Sequence, residues 1–147
     1  QLLGILAGAT FVLAAIASQF TPLLLKRIGN KSGLIIVSVL VSMTFLVSPL
    51  IGLVVGGLMY VFRYMLEAVF YNLTSISLNS AIESKYRATA LSAFNMLKSI
   101  PYIFLAFALG YLMDLYTAKS FALALGLLLL IVVISSTYAR TTIQRGK

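Results

Sequence analysis

Residues 52–79 read GLVVGGLMYVFRYMLEAVFYNLTSISLN, and this stretch places two charged side chains inside a segment that is long and apolar enough to cross a membrane. A membrane-spanning helix needs about 20 mostly apolar residues. Arg63 and Glu67 lie one helical turn apart within it. An ionisable group at that depth costs about 2.5 kcal/mol or more unless it faces protein or water. We therefore expect a membrane helix whose charges turn inward, and we expect function to lie there.

The composition of the whole chain indicates the same class. Of its 147 residues, 61% are hydrophobic and 10% are charged, and the mean hydropathy is +1.07. A domain of this size exposes a large surface, so this much apolar side chain cannot be hidden in one water-soluble core. The predicted fold class is therefore all-α, a polytopic membrane helical bundle.

The chain lacks the usual parts of an enzyme or a metal site. It contains no Cys and no His, and its acids are Glu67, Glu83 and Asp114. Thiolate ligands, imidazole ligands and paired acids for acid–base chemistry are therefore missing. We expect no enzymatic activity, no bound metal and no cofactor.

Five apolar segments qualify, or nearly qualify, as membrane spans. They cover residues 1–20, 33–50, 52–80, 88–113 and 119–139. Proline, glycine and charged residues punctuate the breaks between them. The chain opens at Gln1 and enters an apolar helix without the pattern of a signal peptide. We interpret residues 1–147 as a single membrane domain cut from a longer protein.

The positions of lysine and arginine predict the orientation in the membrane. If the first helix runs from outside to inside, the outer loops hold only Lys119. The inner loops and tail then hold Lys26, Arg27, Lys31, Lys85, Arg87, Arg140, Arg145 and Lys147. Cytoplasmic loops carry such an excess of cations, so we expect the C-terminus to be cytoplasmic. Because these cations lie between apolar runs and not on one polar surface, we expect no nucleic-acid binding.

The first inner loop, from Pro22 to Leu34, resembles the cytoplasmic loop motif G-x-L-x-D-R-x-G-R-K-x-x-L of the major facilitator superfamily. The matching residues are Leu24, Arg27, Gly29, Lys31 and Leu34. The first glycine, the aspartate and the second arginine of the motif are replaced by Pro22, Lys26 and Asn30. Taken alone, the stretch can also be read as an ordinary positive-inside loop. In either case Gly29 permits a left-handed turn.

A second resemblance covers the third and fourth segments. A long helix ending in a Glu…Arg-Ala loop, here Glu83 and Arg87–Ala88, is followed by a helix with Gly110 before Asp114. This order is similar to helices ten and eleven of the same superfamily. The resemblance implies helices eight to twelve of a twelve-helix transporter, whose N-terminal half and helix seven would be missing partners from the same chain. Helices two to six of the first half have the same topology and remain the alternative register.

Polar side chains form a stripe on each of two predicted helices. At 100° per residue, the stripe on the third helix spans about 120° and that on the fourth is similar. The candidate cavity residues taken from the two stripes are Arg63, Tyr64, Glu67, Tyr71, Asn95, Lys98, Ser99 and Tyr102. At about 1.5 Å per residue, Glu67 and Lys98 reach similar depths, so we expect that they could meet.

Two hypotheses for these charges remain open. In the first, Arg63 or Lys98 receives an anionic group of a small-molecule substrate, while Glu67 could instead carry a coupling proton. In the second, an Arg–Glu pair with a third charge locks two helices together. The resemblance implies secondary active transport by alternating access about a midplane site. The rival function is a non-transporting scaffold or signalling subunit, which predicts a stripe sealed by packing where transport predicts a water-accessible groove.

Two glycine patterns predict close packing of helices. Gly4-x-x-x-Gly8 and Gly52-x-x-x-Gly56 each place two residues without side chains on one helix face. Such pairs let neighbouring backbones approach closely.

Overall fold

The computed structural model describes residues 2–145 and consists of five helices. They are α1 (Leu2–Gln19), α2 (Thr21–Val47), α3 (Leu53–Ala81), α4 (Arg87–Leu115) and α5 (Ala118–Arg145). Short 3-10 turns, Ser48–Leu50 and Ser84–Tyr86, lie in two of the links, and no strand occurs between residues 2 and 145. The all-helical prediction is confirmed. The described part excludes Gln1 and Lys147. It also excludes the side chains of Asp114, Arg140 and Arg145.

The helices have the length and apolar character of membrane spans. Four described segments are long and apolar enough to cross a membrane. They are Thr21–Leu50, Val54–Ala81, Ser84–Leu112 and Ala118–Ala139. Within the part of α1 whose side chains are described, Ala7–Gln19 forms a shorter apolar segment. These helices fit an integral membrane protein.

The bundle is built around α2 and α3. Helix α3 packs against α1 and α2, and α2 also packs against α5. The core consists of Val37, Leu66 and Leu73, and the Leu73 side chain is fully buried. Short links join α2 to α3, α3 to α4 and α4 to α5. Helix α4 makes few contacts with the other helices and is exposed along most of its length.

The predicted loop after the first helix is mostly helical. Thr21 begins α2, and the helix is interrupted at Gly29, where φ is 75° and ψ is 164°. Pro22 does not break the helix because it stands in the first turn, where a missing backbone N–H costs little. Leu24 and Leu25 then hold this segment against the core. The expected positive φ at Gly29 is confirmed, but its ψ puts the residue in a region that only glycine commonly adopts, not in the left-handed helical region.

Among the described glycines, the tightest contact with another helix occurs outside the two predicted patterns. A Cβ on Gly126 of α5 would lie 2.9 Å from Cγ of Leu46 and 3.0 Å from Cβ of Phe45, both on α2. By contrast, a Cβ on Gly4 or Gly8 would meet nothing within 4 Å. Packing of α5 on α2 therefore depends on Gly126, and the first glycine pattern makes no close approach within the described residues.

We expect Gly29→Ala to destabilise the protein, because alanine is strained at a φ of 75° whatever space surrounds it. The expected loss is about 1–3 kcal/mol, measured as a lower free energy of unfolding of the purified protein in detergent. Gly57→Ala is the matched control, since a Cβ meets nothing within 4 Å at either position and Gly57 has helical backbone. Equal stabilities of the two variants would contradict the role of the backbone break.

We expect Gly126→Ala to loosen the α2–α5 contact, because Cβ of Phe45 is fixed to its backbone and cannot move aside cheaply. Overpacking of this kind costs about 1–3 kcal/mol. Thermal unfolding in detergent should show a lower midpoint for this variant than for Gly110→Ala, where a new Cβ meets nothing within 4 Å. An unchanged midpoint for Gly126→Ala would contradict the close approach.

Candidate functional site

Arg63 lies in an aromatic enclosure between two helices. Its side chain is 19% exposed, and its Cζ lies 4.3 Å from the ring centroid of Phe45 on α2 and 5.2 Å from that of Tyr60 on its own helix. A guanidinium above an aromatic face gains about 0.5–2 kcal/mol, the larger value applying where water is excluded. Arg63 therefore makes contacts that join α3 to α2. The helix-locking hypothesis instead required a third charge beside the Arg–Glu pair, and no such charge contacts it among the described side chains.

Glu67 lies on the open side of the same helix. Its Oε1 is 3.9 Å from Nε of Arg63, and its side chain is 52% exposed. A charge-assisted hydrogen bond between such groups measures about 2.7–2.9 Å. The two charges are thus neighbours without a close hydrogen bond, and the carboxylate of Glu67 keeps access to whatever occupies the face beside it.

Tyr64 packs toward α1. Its ring meets that of Phe11 edge to face at a centroid distance of 6.3 Å, and it lies 4.9 Å from the ring of Tyr60. Edge-to-face pairs are a favoured arrangement of aromatic side chains. Tyr64, one of the predicted cavity residues, therefore lies in the contact between α1 and α3.

Lys98 of α4 meets a tyrosine and not the predicted carboxylate. Its Nζ lies 5.3 Å from the ring centroid of Tyr71 on α3. Arg63–Glu67 is the ion pair found among the described side chains, so the expected meeting of Lys98 with Glu67 is not observed as a direct contact. The reason is that α4 touches α3 at few positions, which leaves the Lys98 side chain exposed. Because Tyr71 lies one turn after Glu67, the lysine reaches α3 one turn away from the carboxylate.

Helix α4 carries three groups of side chains, and the packed group overlaps the polar group around the helix axis. One, which includes Leu91, Phe94 and Leu109, points to clefts shared with α3 or α5. A second is apolar and exposed, and consists of Leu97, Ile100, Phe104 and Phe107. The third is polar and exposed, and consists of Ser92, Asn95, Lys98, Ser99 and Tyr102. An apolar exposed face suits lipid, whereas a polar one within a span requires protein or water.

The polar side chains on this face of α4 make few hydrogen bonds to other described residues. The Ser99 hydroxyl donates to the backbone oxygen of Asn95 at 2.9 Å. Asn95 borders both the narrow cleft with Tyr71 and an open groove of about 480 Å³ on α4. Tyr102, one turn beyond Lys98, is 71% exposed. These side chains are available to an outside ligand.

The predicted cytoplasmic motif residues surround the break in α2. Arg27 and Lys31 are exposed on either side of Gly29. Between them, the side-chain amide of Asn30 donates a hydrogen bond to the Ser77 hydroxyl of α3. The residue that replaces the second arginine of the motif thus fixes the turn to the neighbouring helix.

The tertiary structure adds residues that sequence reasoning missed. Asn72 of α3 donates to the backbone oxygen of Ser18 and to the hydroxyl of Thr21, both at 3.4 Å. Thr21 is almost completely buried. A signal was present, because an asparagine within an apolar span needs a hydrogen-bond partner. Phe45, the main partner of Arg63, gave no signal, since nothing in an apolar run distinguishes one phenylalanine from another.

No group of three or more His, Cys, Asp or Glu residues is found among the described side chains that could hold a metal ion. Comparison of the chain with protein-family models, curated proteins and solved structures gives no match. The functional interpretation therefore rests on the geometry of the two polar stripes.

A double-mutant cycle on Arg63 and Phe45 should measure the interaction energy between the guanidinium and the ring. We expect Arg63→Met and Phe45→Leu each to change the free energy of unfolding in detergent, with a coupling energy of about 0.5–2 kcal/mol between them. The control pair is Arg63→Met with Phe62→Leu, because Phe62 is exposed on α3 and is not among the rings that enclose the guanidinium. Additive effects of Arg63→Met and Phe45→Leu would contradict the enclosure.

Proposed function

We propose that this chain forms part of a secondary transporter that moves a small anionic solute across a membrane by alternating access. The observation that carries the proposal is the exposed side chain of Lys98, which lies over the Tyr71 ring on a polar face of α4 whose side chains are exposed. A cation within a span costs about 2.5–3.5 kcal/mol unless protein or water surrounds it. A wet path beside α4 would satisfy this requirement.

Arg63 and Lys98 would have different roles, which the sequence alone did not assign. Arg63 contacts Phe45, Tyr60 and Glu67, so its charge is already engaged within the bundle. Lys98 contacts one aromatic ring and forms no ion pair with a described carboxylate. Lys98 is therefore the better receptor for an anion, and Arg63 positions α3 against α2.

The remaining stripe residues would complete the site. Asn95, Ser99 and Tyr102 lie on the same face as Lys98. Asn95 and Tyr102 offer hydrogen-bond donors, the Ser99 hydroxyl offers an acceptor because it already donates to Asn95, and Tyr71 offers a stacking surface. Glu67 is half exposed one turn from Tyr71, where it could accept a coupling proton. In the proposed protein the N-terminal half and helix seven would form the opposite wall, and the inner turns at residues 26–31 and 83–87 would lie on the cytoplasmic side.

The rival function, a non-transporting scaffold or signalling subunit, is favoured by the closed environment of Arg63. It requires the polar face of α4 to be covered by dry protein. The two functions therefore differ in whether water reaches that face.

Cysteine labelling separates the two functions, because the natural chain has no cysteine. We expect Tyr102→Cys to react with a membrane-impermeant thiol reagent and Phe104→Cys to remain unreactive. Both side chains are exposed, at 71% and 75%, but they lie roughly 200° apart around the helix. The measurement is labelling of the intact protein in membranes. Failure of the Tyr102→Cys variant to react would favour the scaffold, and equal reactivity of the two variants would contradict a polar path confined to one face.

Uptake into proteoliposomes that contain the intact protein tests the role of Lys98 directly. We expect Lys98→Gln to reduce uptake of an anionic solute about tenfold or more, because a lost hydrogen bond to a charged group costs about 1.5–3 kcal/mol. Arg63→Lys keeps the charge and should reduce uptake less than Lys98→Gln does. Lys119→Gln, at the N-terminal end of α5, should leave uptake unchanged. Undiminished uptake by Lys98→Gln would end the proposal for this residue.

A further inference from the structure

A second binding surface lies at the break in α2, away from the polar stripes. We define the cationic turn as Lys26, Arg27 and Lys31, the three cations around Gly29. All three side chains are exposed, and none forms an ion pair with a carboxylate that the structure describes. We propose that the cationic turn binds the phosphate-bearing headgroup of an anionic phospholipid. This proposal is independent of the proposed transport function.

The turn is held rigidly on both sides of the break. Before it, Leu24 and Leu25 pack against the core formed by α2 and α3. After it, Asn30 is hydrogen-bonded to Ser77, and Gly33 is buried with the Leu73 side chain beside it. The backbone that carries the three cations is therefore fixed relative to α3. A fixed set of cations loses less freedom on binding an anion than cations on a mobile loop would lose.

The side chains next to the cations have the chemistry of a lipid site. In the helical segment before Gly29, Pro22 and Leu23 are exposed, and Leu23 reaches 57%. Lys26 and Arg27 follow one turn later on the same face, about 6 Å farther along the axis. Apolar groups on the side of the bilayer core and cations on the side of its surface match the acyl chain and headgroup of one lipid. A free phosphate would use only the cations.

The surrounding end of the bundle increases the positive potential. Lys85 lies in the link between α3 and α4, and Arg87 begins α4, close after the part of α3 that carries Ser77. Lys85 is over the Tyr86 ring at 5.6 Å, and Arg87 donates from Nε to the backbone oxygen of Ile82 at 3.2 Å. Glu83 is the one carboxylate among the described side chains of this link. Juxtamembrane cations of this kind attract anionic lipids.

The experiment uses the purified chain in detergent and measures its thermal unfolding midpoint with added lipid. Phosphatidylglycerol should raise the midpoint, phosphatidylcholine should not, and inorganic phosphate at millimolar concentration should have little effect. The shift should shrink when NaCl is increased from 0.1 to 1 M, because the screening length falls from about 10 to 3 Å.

Variants place the effect on the turn. Each cation should contribute roughly fivefold to lipid affinity, so Lys26→Gln/Arg27→Gln/Lys31→Gln should weaken the apparent affinity for phosphatidylglycerol about a hundredfold. Lys119→Gln, a cation at the opposite end, is the matched control and should bind as the natural chain does. Leu23→Ser keeps all three cations and should weaken lipid binding by removing the acyl contact.

Three results would overturn the proposal. They are an equal response to phosphatidylcholine, a full response to inorganic phosphate alone, and unchanged affinity in the triple variant. If the triple variant fails to fold, the salt series on the natural chain still decides, because a shift that persists in 1 M NaCl would exclude binding through these cations. Loss of lipid binding with normal labelling at Tyr102→Cys would separate this site from the transport path.

Discussion

The guanidinium of Arg63 between α2 and α3 imposes the main constraint on this bundle. A positive charge inside an apolar helix must be partnered, and here the Phe45 and Tyr60 rings and the Glu67 carboxylate share that task. These contacts fix the rotation of α3 about its own axis. Leu66 and Leu73 then face the core, and Glu67 and Tyr71 face outward. The position of the polar stripe is thus a consequence of where one cation finds its partners.

The loose attachment of α4 leaves the second cation, Lys98, exposed. Lys98 lies near the middle of a helix that contributes little to the core, and the polar side chains on its face are exposed. Opposite that face, Phe104 and Phe107 are exposed and apolar. A helix with one face for lipid and another for a polar environment is suited to the boundary of a water-filled path, which is why the proposed solute site is placed there and not at Arg63.

A small number of polar contacts join α3 to α1 and α2 at the end of the bundle that contains Gly29. Asn72 joins α3 to Ser18 and Thr21, and Asn30 joins α2 to Ser77. Because few apolar side chains in this bundle are fully buried, such hydrogen bonds and the tight contact at Gly126 contribute a large share of the specificity of helix packing. The Asn30–Ser77 hydrogen bond also holds the backbone next to Gly29 against α3, and so gives the cationic turn a defined shape.

The sequence alone determined the helical class, the approximate starts of four of the five helices and the face on which each polar stripe lies, because hydropathy and the 3.6-residue period are local properties. It placed the start of the second helix at residue 33, whereas α2 begins at Thr21. It also indicated a special backbone at Gly29. Only the tertiary structure decided that Phe45 encloses Arg63, that Lys98 meets Tyr71 and not Glu67, and that Gly126, not Gly4 or Gly8, makes a tight contact with another helix. Those outcomes depend on the rotation and separation of helices distant in the chain, and the pattern within one helix does not specify its neighbours.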